Sequence, residues 1–306
     1  MYHSWSDVTA QAVQRGVSPG TVVLENECAL TGTDAASVLR QLRSRWDIMQ
    51  ASCVRALEQP QPMVLGLIRG QSEKQGRYGE QRTPLCGALL NGVMAHALSA
   101  CEVNASMGRI CAAPTAGSCG ILPAVVQGVA RMLGSTEEQI DEALLVACGV
   151  GAVIMRNATV AGAEGGCQAE CGTAAAMAGA AAVSLSGGTP QMMDACIAIV
   201  LMNCMGLVCD PVAGLVQLPC SFRNASQAVN AIISADLALA GQDSVIPADE
   251  AIVAMFKVGR QLPPQLRETA GGGVAATPTG KALKKQLKES EIPESGNAVR
   301  EEKVEG

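Results

Sequence analysis

The sequence predicts an all-α fold, and three observations carry that prediction. Aromatic side chains are scarce, with two each of Trp, Tyr and Phe, while 48% of the 306 residues are apolar and Gly and Ala abound. A core packed from small and aliphatic side chains suits closely spaced helices better than a β-sandwich, whose strands favour aromatic and β-branched residues. No stretch alternates apolar and polar residues as a strand does, whereas helix start and stop signals recur along the chain.

Residues 1 to about 60 read as two short helices around Glu25–Asp34, with Trp46, Met49 and Val54 in the core and a break at Pro60 and Pro62. The polar segment from Gly70 to Thr83, with Gly76 and Gly79 inside it, reads as a loop. A long apolar helix follows from Leu85 to Glu102. Pro123 starts another helix, since Pro fits the first helical position; Val125, Val126, Val129, Met132 and Leu133 line one of its faces, and Gly134 closes it. Ser135-Thr136-Glu137-Glu138 has the form of a capping box and opens a helix to about Cys148. Further helices are expected over Thr173–Leu185, from Thr189-Pro190 to Cys204, over Asn224–Ala240, and from Pro247 to Arg260. From Thr277 the composition changes: residues 281–306 hold six basic and six acidic side chains, which predicts a turn or two of helix at Lys281–Lys288 inside a disordered tail.

A net charge of −6 with no basic stripe argues against a nucleic-acid partner. The N-terminus Met1-Tyr2-His3-Ser4-Trp5 lacks a basic stretch followed by an apolar one. The apolar runs Ala143–Met155 and Ala174–Val183 fall short of the roughly 20 residues a membrane helix needs. A soluble, cytoplasmic protein is therefore expected, in which the thirteen Cys are free thiols, buried fillers or metal ligands rather than disulfides.

The cysteines are not equivalent. Cys148, Cys196 and Cys204 fall inside apolar helical stretches, where a Cys serves as a small hydrophobic filler. Cys28, Cys53, Cys86 and Cys101 have no ligand-like context. Three others sit where the backbone must turn: Cys167 after Gly165-Gly166, Cys209 before Asp210-Pro211, and Cys220 after Pro219. A metal cluster needs thiolates on irregular backbone so that separate segments can converge. The spacing is not a CxxC pattern, and Cys111, Cys119 and Cys171 are loop cysteines that compete for the same role.

Four motifs carry a resemblance. The first is Glu102-Val103-Asn104-Ala105-Ser106-Met107-Gly108 with Ala113-Pro114-Thr115-Ala116-Gly117-Ser118-Cys119-Gly120-Ile121-Leu122-Pro123. The second is Gly162-Ala163-Glu164-Gly165-Gly166-Cys167-Gln168-Ala169-Glu170. The third is Gly206-Leu207-Val208-Cys209-Asp210-Pro211, running through Leu218-Pro219-Cys220 to Arg223-Asn224, and the fourth is Arg267-Glu268-Thr269 with Gly272-Gly273. Together they resemble the α chain of the bacterial iron–sulfur L-serine dehydratases, over residues 1 to about 276; residues 277–306 form the charged tail. The resemblance implies a [4Fe–4S] cluster held by Cys167, Cys209 and Cys220. Three thiolates leave one iron open as a Lewis acid for the hydroxyl of L-serine, whose elimination yields pyruvate and ammonia. Only two of the seven Lys, Lys74 and Lys257, lie outside the tail, so a Schiff-base cofactor has few candidate partners.

The loop Pro114–Pro123 precedes a helix N-terminus, and its backbone N–H groups with Thr115 and Ser118 are candidates to bind the substrate carboxylate; a tight capped loop is the plainer reading. Asn157, Glu164, Asp210, Arg223 and Asn224 flank the cluster motifs and are candidates to orient thiolates or bind substrate, or else are helix caps and structural ion pairs. Arg267 and Thr269 are similar candidates. Single-chain members of the family carry an extra domain with a His-containing motif, so a separate β chain and an oligomer are expected, and no base is named. Of the two His, His3 lies at a frayed terminus and His96 in an apolar helix, where a satisfied core His is expected. Three alternatives remain: a cluster-dependent L-cysteine desulfidase or L-threonine dehydratase, a non-enzymatic iron–sulfur sensor, and a helical scaffold whose Cys are packing.

Overall fold

The computed structural model describes residues 1–291, and among them the regular structure is helical. The first sixty residues form three helices rather than two: α1 (Trp5–Arg15), α2 (Pro19–Thr31) and α3 (Ala35–Glu58). Each begins at a side-chain cap (Ser4 in a capping box with Asp7, then Ser18 and Asp34), and α1 and α2 each end at a left-handed Gly. Trp46 and Met49 enter the core as expected, and Val54 is half-buried.

The segment expected to be a loop is helix α4 (Gln71–Gln81). Its start has no local side-chain cap. The carboxylate of Glu102, a fully buried residue on α5 (Gly87–Ala105), accepts from the backbone N–H groups of Gly70 and Ser72 at 2.9 Å. An anion there satisfies orphan N–H groups and complements the helix dipole. Gly76 and Gly79 permit close packing, since a Cβ would lie 3.0 Å from Leu57 Cδ2 and 2.4 Å from Asn91 Nδ2.

The chain continues through α6 (Ile121–Leu133), α7 (Glu137–Asn157), the short α8 (Gly162–Gly165), α9 (Thr173–Leu185), α10 (Pro190–Cys204), α11 (Cys220–Leu239) and α12 (Ala248–Gln261). Val125, Val126 and Val129 are buried on α6, but Met132 and Leu133 are exposed. Helix α7 starts one residue beyond the predicted capping box, with Thr136 and Gln139 in the roles expected of Ser135 and Glu138, and runs past Cys148, because Gly149 and Gly151 are contact points for Val23 and Met177 rather than breaks. The Ala-rich α9 is the buried axis, surrounded by α6, α7, α10 and α11. A Cβ at Gly179 would lie 2.7 Å from Cys196 Sγ, so small residues set the helix spacing where larger cores use rings. The window Ala116–Leu133 is apolar and long enough to cross a membrane, yet 61% of it is buried in the protein.

Helix α13 (Pro278–Glu291) is longer than the turn or two expected and packs against residues 212–214. The predicted disorder of residues 292–306 lies outside the described residues.

His96 on α5 is buried as expected, but it is not satisfied: its Nδ1 has no hydrogen-bond partner among the described residues. Burial, reinforced by Arg131, pulls its pKa down to about 4. The neutral imidazole therefore favours the fold above the unfolded value of about 6.5, and that contribution is lost as pH falls toward the folded value. In urea titrations, wild type is expected to lose about 2–3 kcal/mol more than His96→Gln between pH 7.5 and 4.5. Parallel losses in the two proteins would refute the assignment.

Candidate active site

Residues 113–120 form a turn between α5 and α6, held from several sides. Asn104 donates to the Ala116 carbonyl at 3.1 Å, and Gly120 sits so close to α5 that a Cβ would lie 2.5 Å from the Ala97 carbonyl oxygen. The fully buried Asn224, one turn into α11, does most of the pinning. Its Nδ2 donates to the carbonyls of Gly117 at 2.7 Å and Cys220 at 2.9 Å, and its Oδ1 accepts from Gly120 N–H at 3.0 Å. Gly120 N–H is thus committed to protein.

The hydroxyls of this turn point to a carboxylate instead. Thr115 Oγ1 donates to Glu170 Oε1 at 3.0 Å and lies 3.0 Å from Ser118 Oγ, so Ser118, Thr115 and Glu170 form one hydrogen-bonded line. The other carboxylate oxygen, Glu170 Oε2, lies 3.7 Å from Cys209 Sγ. Burial raises the Glu170 pKa, with a further contribution from the charge of Glu268. Two glycines make the space: a Cβ at Gly162 would lie 2.5 Å from Glu170 Oε2, and one at Gly117 would lie 3.1 Å from Oε1.

The three singled-out cysteines arrive on separate segments. Cys167 follows Gly166, whose φ of +75° and tight approach to the Leu207 carbonyl exclude a side chain. The next residue, Gln168, is fully buried; it accepts from Gly206 N–H at 2.8 Å and donates to the Met255 carbonyl at 3.2 Å, tying this turn to the segment that leads to Cys209. Cys209 is clamped by its backbone, N–H to Leu266 O at 2.8 Å and C=O from Glu268 N–H at 2.7 Å. Val212 N–H to Leu218 O, at 2.8 Å, then folds the chain back to Cys220. Cys220 is the first residue of α11, not part of a loop as the sequence suggested.

These thiols share one electrostatic environment. Cys220 is pushed up to about 12 by burial and then by the charges of Cys167 and Glu170. Cys209 is driven up by burial, Glu170, Cys167 and Cys220. Cys167 is shifted down by a hydrogen bond from Cys171, whose Sγ lies at 3.3 Å, and by Arg223. Arg223 donates to the Val208 carbonyl at 2.6 Å and lies 2.8 Å from Asp210 Oδ1. That contact is an ion pair too poorly aligned for a hydrogen bond, while Asp210 Oδ2 accepts from Val274 N–H at 2.6 Å. Among the described residues no three His, Cys, Asp or Glu groups converge tightly enough for a single metal ion. A soft donor set of three mutually repelling thiols suits a multi-iron cluster, whose cysteines each bind a different iron.

The structure thus gathers Thr115, Ser118, Cys167, Cys209, Asp210, Cys220, Arg223 and Asn224. It does not gather two other candidates. Asn157 is exposed at the end of α7 and donates to the His3 carbonyl at 2.8 Å, which makes it a tie for the N-terminus. Glu164 is exposed on α8 and makes no side-chain hydrogen bond or ion pair among the described residues. Arg267 pairs through its backbone with Cys209, and Thr269 Oγ1 donates to the carbonyls of Pro264 and Gln265, so both shape the Cys209 clamp. Glu170 and Gln168 carried no role in the sequence reading, although both stand in the second motif beside Cys167.

The serine dehydratase alpha chain family matches residues 14–275. The L-serine dehydratase alpha chain of Peptoniphilus asaccharolyticus is 44% identical over 279 residues, covering 91% of this chain and 96% of that protein. A probable L-serine dehydratase alpha chain of Bacillus subtilis is 42% identical, covering 94% of this chain and 95% of its own length. The L-serine dehydratase of Haemophilus influenzae is 35% identical over 90% of this chain, which spans 61% of that longer protein. With the family matched across nearly all of the helical body that builds the thiol site, the chain belongs to the serine dehydratase alpha chain family.

Proposed function

We propose that this chain is the thiol-bearing subunit of an L-serine ammonia-lyase, which eliminates water from L-serine to give pyruvate and ammonia, and that Cys167, Cys209 and Cys220 hold a [4Fe–4S] cluster. The observation that carries the reading is the line of contacts Ser118–Thr115–Glu170–Cys209, with Cys167 and Cys220 close enough for their charges to act on one another and on Cys209. When bound, the cluster supplies an iron that no thiolate of the trio occupies, a Lewis acid for the departing hydroxyl of serine.

The remaining work falls to the chain's own groups. Ser118 offers a hydroxyl donor for the substrate carboxylate, while Thr115, whose only hydroxyl proton is donated to Glu170 Oε1, holds the turn in place. Arg223 places a positive charge beside Cys167, offsetting the repulsion among thiolates, and Asp210 holds Arg223 in that position. Asn224 acts on the hydroxyl-bearing turn rather than on substrate, by tying it to the backbone of Cys220. We further propose a β chain as partner, because the relatives matched over nearly their whole length are named alpha chains, and a cytoplasmic setting, because the thirteen cysteines are free thiols.

Iron and acid-labile sulfide measured after anaerobic purification are expected at about four of each per chain. Pyruvate formation with a β chain present is expected to be faster from serine than from threonine or cysteine. A well-folded, iron-free protein that shows no turnover would leave the thirteen cysteines as packing.

A further inference from the structure

The fourth thiol beside the trio has no part in the reading above. Cys171 Sγ lies 3.3 Å from Cys167 Sγ, and both side chains are buried, at 2% and 3% exposure. The two residues are joined by a π-helical turn, Gln168–Gly172, and such turns are rare, local departures from the α-helix that cluster at functional sites. The turn seats a second sulfur against Cys167. Gly165 and Gly166, directly before Cys167, are packed so closely that a Cβ would lie 2.7 Å from Ala169 Cβ at the first and 2.7 Å from the Leu207 carbonyl oxygen at the second, so the backbone that carries Cys167 is fixed in place beside Cys171. No other sulfur pair among the described residues makes a side-chain hydrogen bond to its neighbour.

We propose that Cys167 and Cys171 form a reversible disulfide when the cluster is absent and peroxide is present, so that Cys171 shelters a ligand thiol from irreversible oxidation. The oxidant is hydrogen peroxide. The sulfur of Cys167 attacks one peroxide oxygen, the O–O bond breaks, and the other oxygen leaves as water, giving a sulfenic acid. The sulfur of Cys171 then attacks that sulfenic sulfur; the S–S bond forms and the hydroxyl leaves as a second water. Two S–H bonds and one O–O bond are replaced by one S–S bond and two O–H bonds, and two electrons pass from sulfur to peroxide. Without a resolving thiol at contact distance, a sulfenic acid proceeds to sulfinic acid, which dithiothreitol does not reverse.

The inference rests on the assignment of Cys167 as a ligand, and the test separates the two. The full-length chain, stripped of iron anaerobically, is treated with hydrogen peroxide, its free thiols are blocked, and it is unfolded and cut after glutamate. Glu170 lies between the two cysteines, and a further cut after aspartate leaves Cys171 as the only cysteine of residues 171–194, so a Cys167–Cys171 disulfide holds residues 165–170 and 171–194 together in the mass spectrum. The expected result is that linked pair, released by dithiothreitol, with iron uptake then returning to its level before peroxide. In Cys171→Ala, Cys167 is expected to reach sulfinic acid and iron uptake to stay lost after dithiothreitol. Absence of the linked pair, or recovery of Cys171→Ala as complete as wild type, would overturn the proposal. Iron content of unoxidised Cys167→Ser tests the ligand assignment by itself, since that variant has no pair to form and should load no intact cluster.

Discussion

Cys209→Ser is expected to fold normally, to lose its iron on purification, and to turn over serine at least about 10³-fold more slowly, equivalent to about 4 kcal/mol of activation free energy. The reasoning starts from the backbone. Residue 209 is fixed by its N–H to Leu266 and its C=O from Glu268, and neither bond involves the side chain. Replacing sulfur by oxygen removes a soft donor but little volume, and the new hydroxyl faces Glu170 Oε2, now 3.7 Å from the sulfur, as an acceptor. A buried hydroxyl with a partner costs about 1 kcal/mol net or less, so the fold survives while the donor set does not. Cys196→Ser is the control. That thiol is fully buried between α9 and α10, where it fills space against Gly179, and iron and turnover should stay within twofold of wild type. Iron retained in Cys209→Ser, or lost equally in Cys196→Ser, would show that burial rather than ligation distinguishes these cysteines.

What the sequence made legible were features with local causes. Thr189 with Pro190, and Gly134, each set a helix end through neighbours within four residues where the sequence placed it, and the capping box that opens α7 lies one residue beyond the one expected. Cys167 and Cys209 were legible because Gly and Pro mark irregular backbone. The misses have distant causes. Helix α4 is polar and contains two glycines, and its start is stabilised by Glu102, some thirty residues later in the chain, so no window around it reveals the cap. Asn157 and Glu164 looked equivalent to Asn224 because each is a polar residue near a motif. Only the fold shows that one faces the N-terminus, one faces outward, and one sits among backbone groups with no exposed surface. Glu170 escaped notice because the glycines that make its space, Gly117 and Gly162, lie in two different motifs.

Asn224→Asp removes the pinning of the hydroxyl-bearing turn while keeping the shape of the side chain. The acceptor to Gly120 N–H survives, but the two donors to Gly117 O and Cys220 O are lost, and a carboxylate oxygen is left facing two carbonyls. Each abandoned carbonyl costs about 1–3 kcal/mol, so a loss of about 2–6 kcal/mol is expected at pH 8. The buried aspartate escapes part of this by taking up a proton, which restores one donor. Its folded pKa must then lie above the unfolded value of about 3.9, so the variant is least impaired at low pH and loses stability relative to wild type as pH rises through the folded value. Urea titrations at pH 5.5 and pH 8 should show the gap to wild type widening with pH. Turnover should fall about 10²-fold at pH 8, the size of effect that a misplaced positioning group produces. Asn157→Asp, by contrast, changes an exposed tie to the His3 carbonyl, and turnover within twofold of wild type is expected. Should the two variants behave alike, the turn is not held by Asn224, and the coupling between the hydroxyls and Cys220 must run through Glu170 and Cys209 instead.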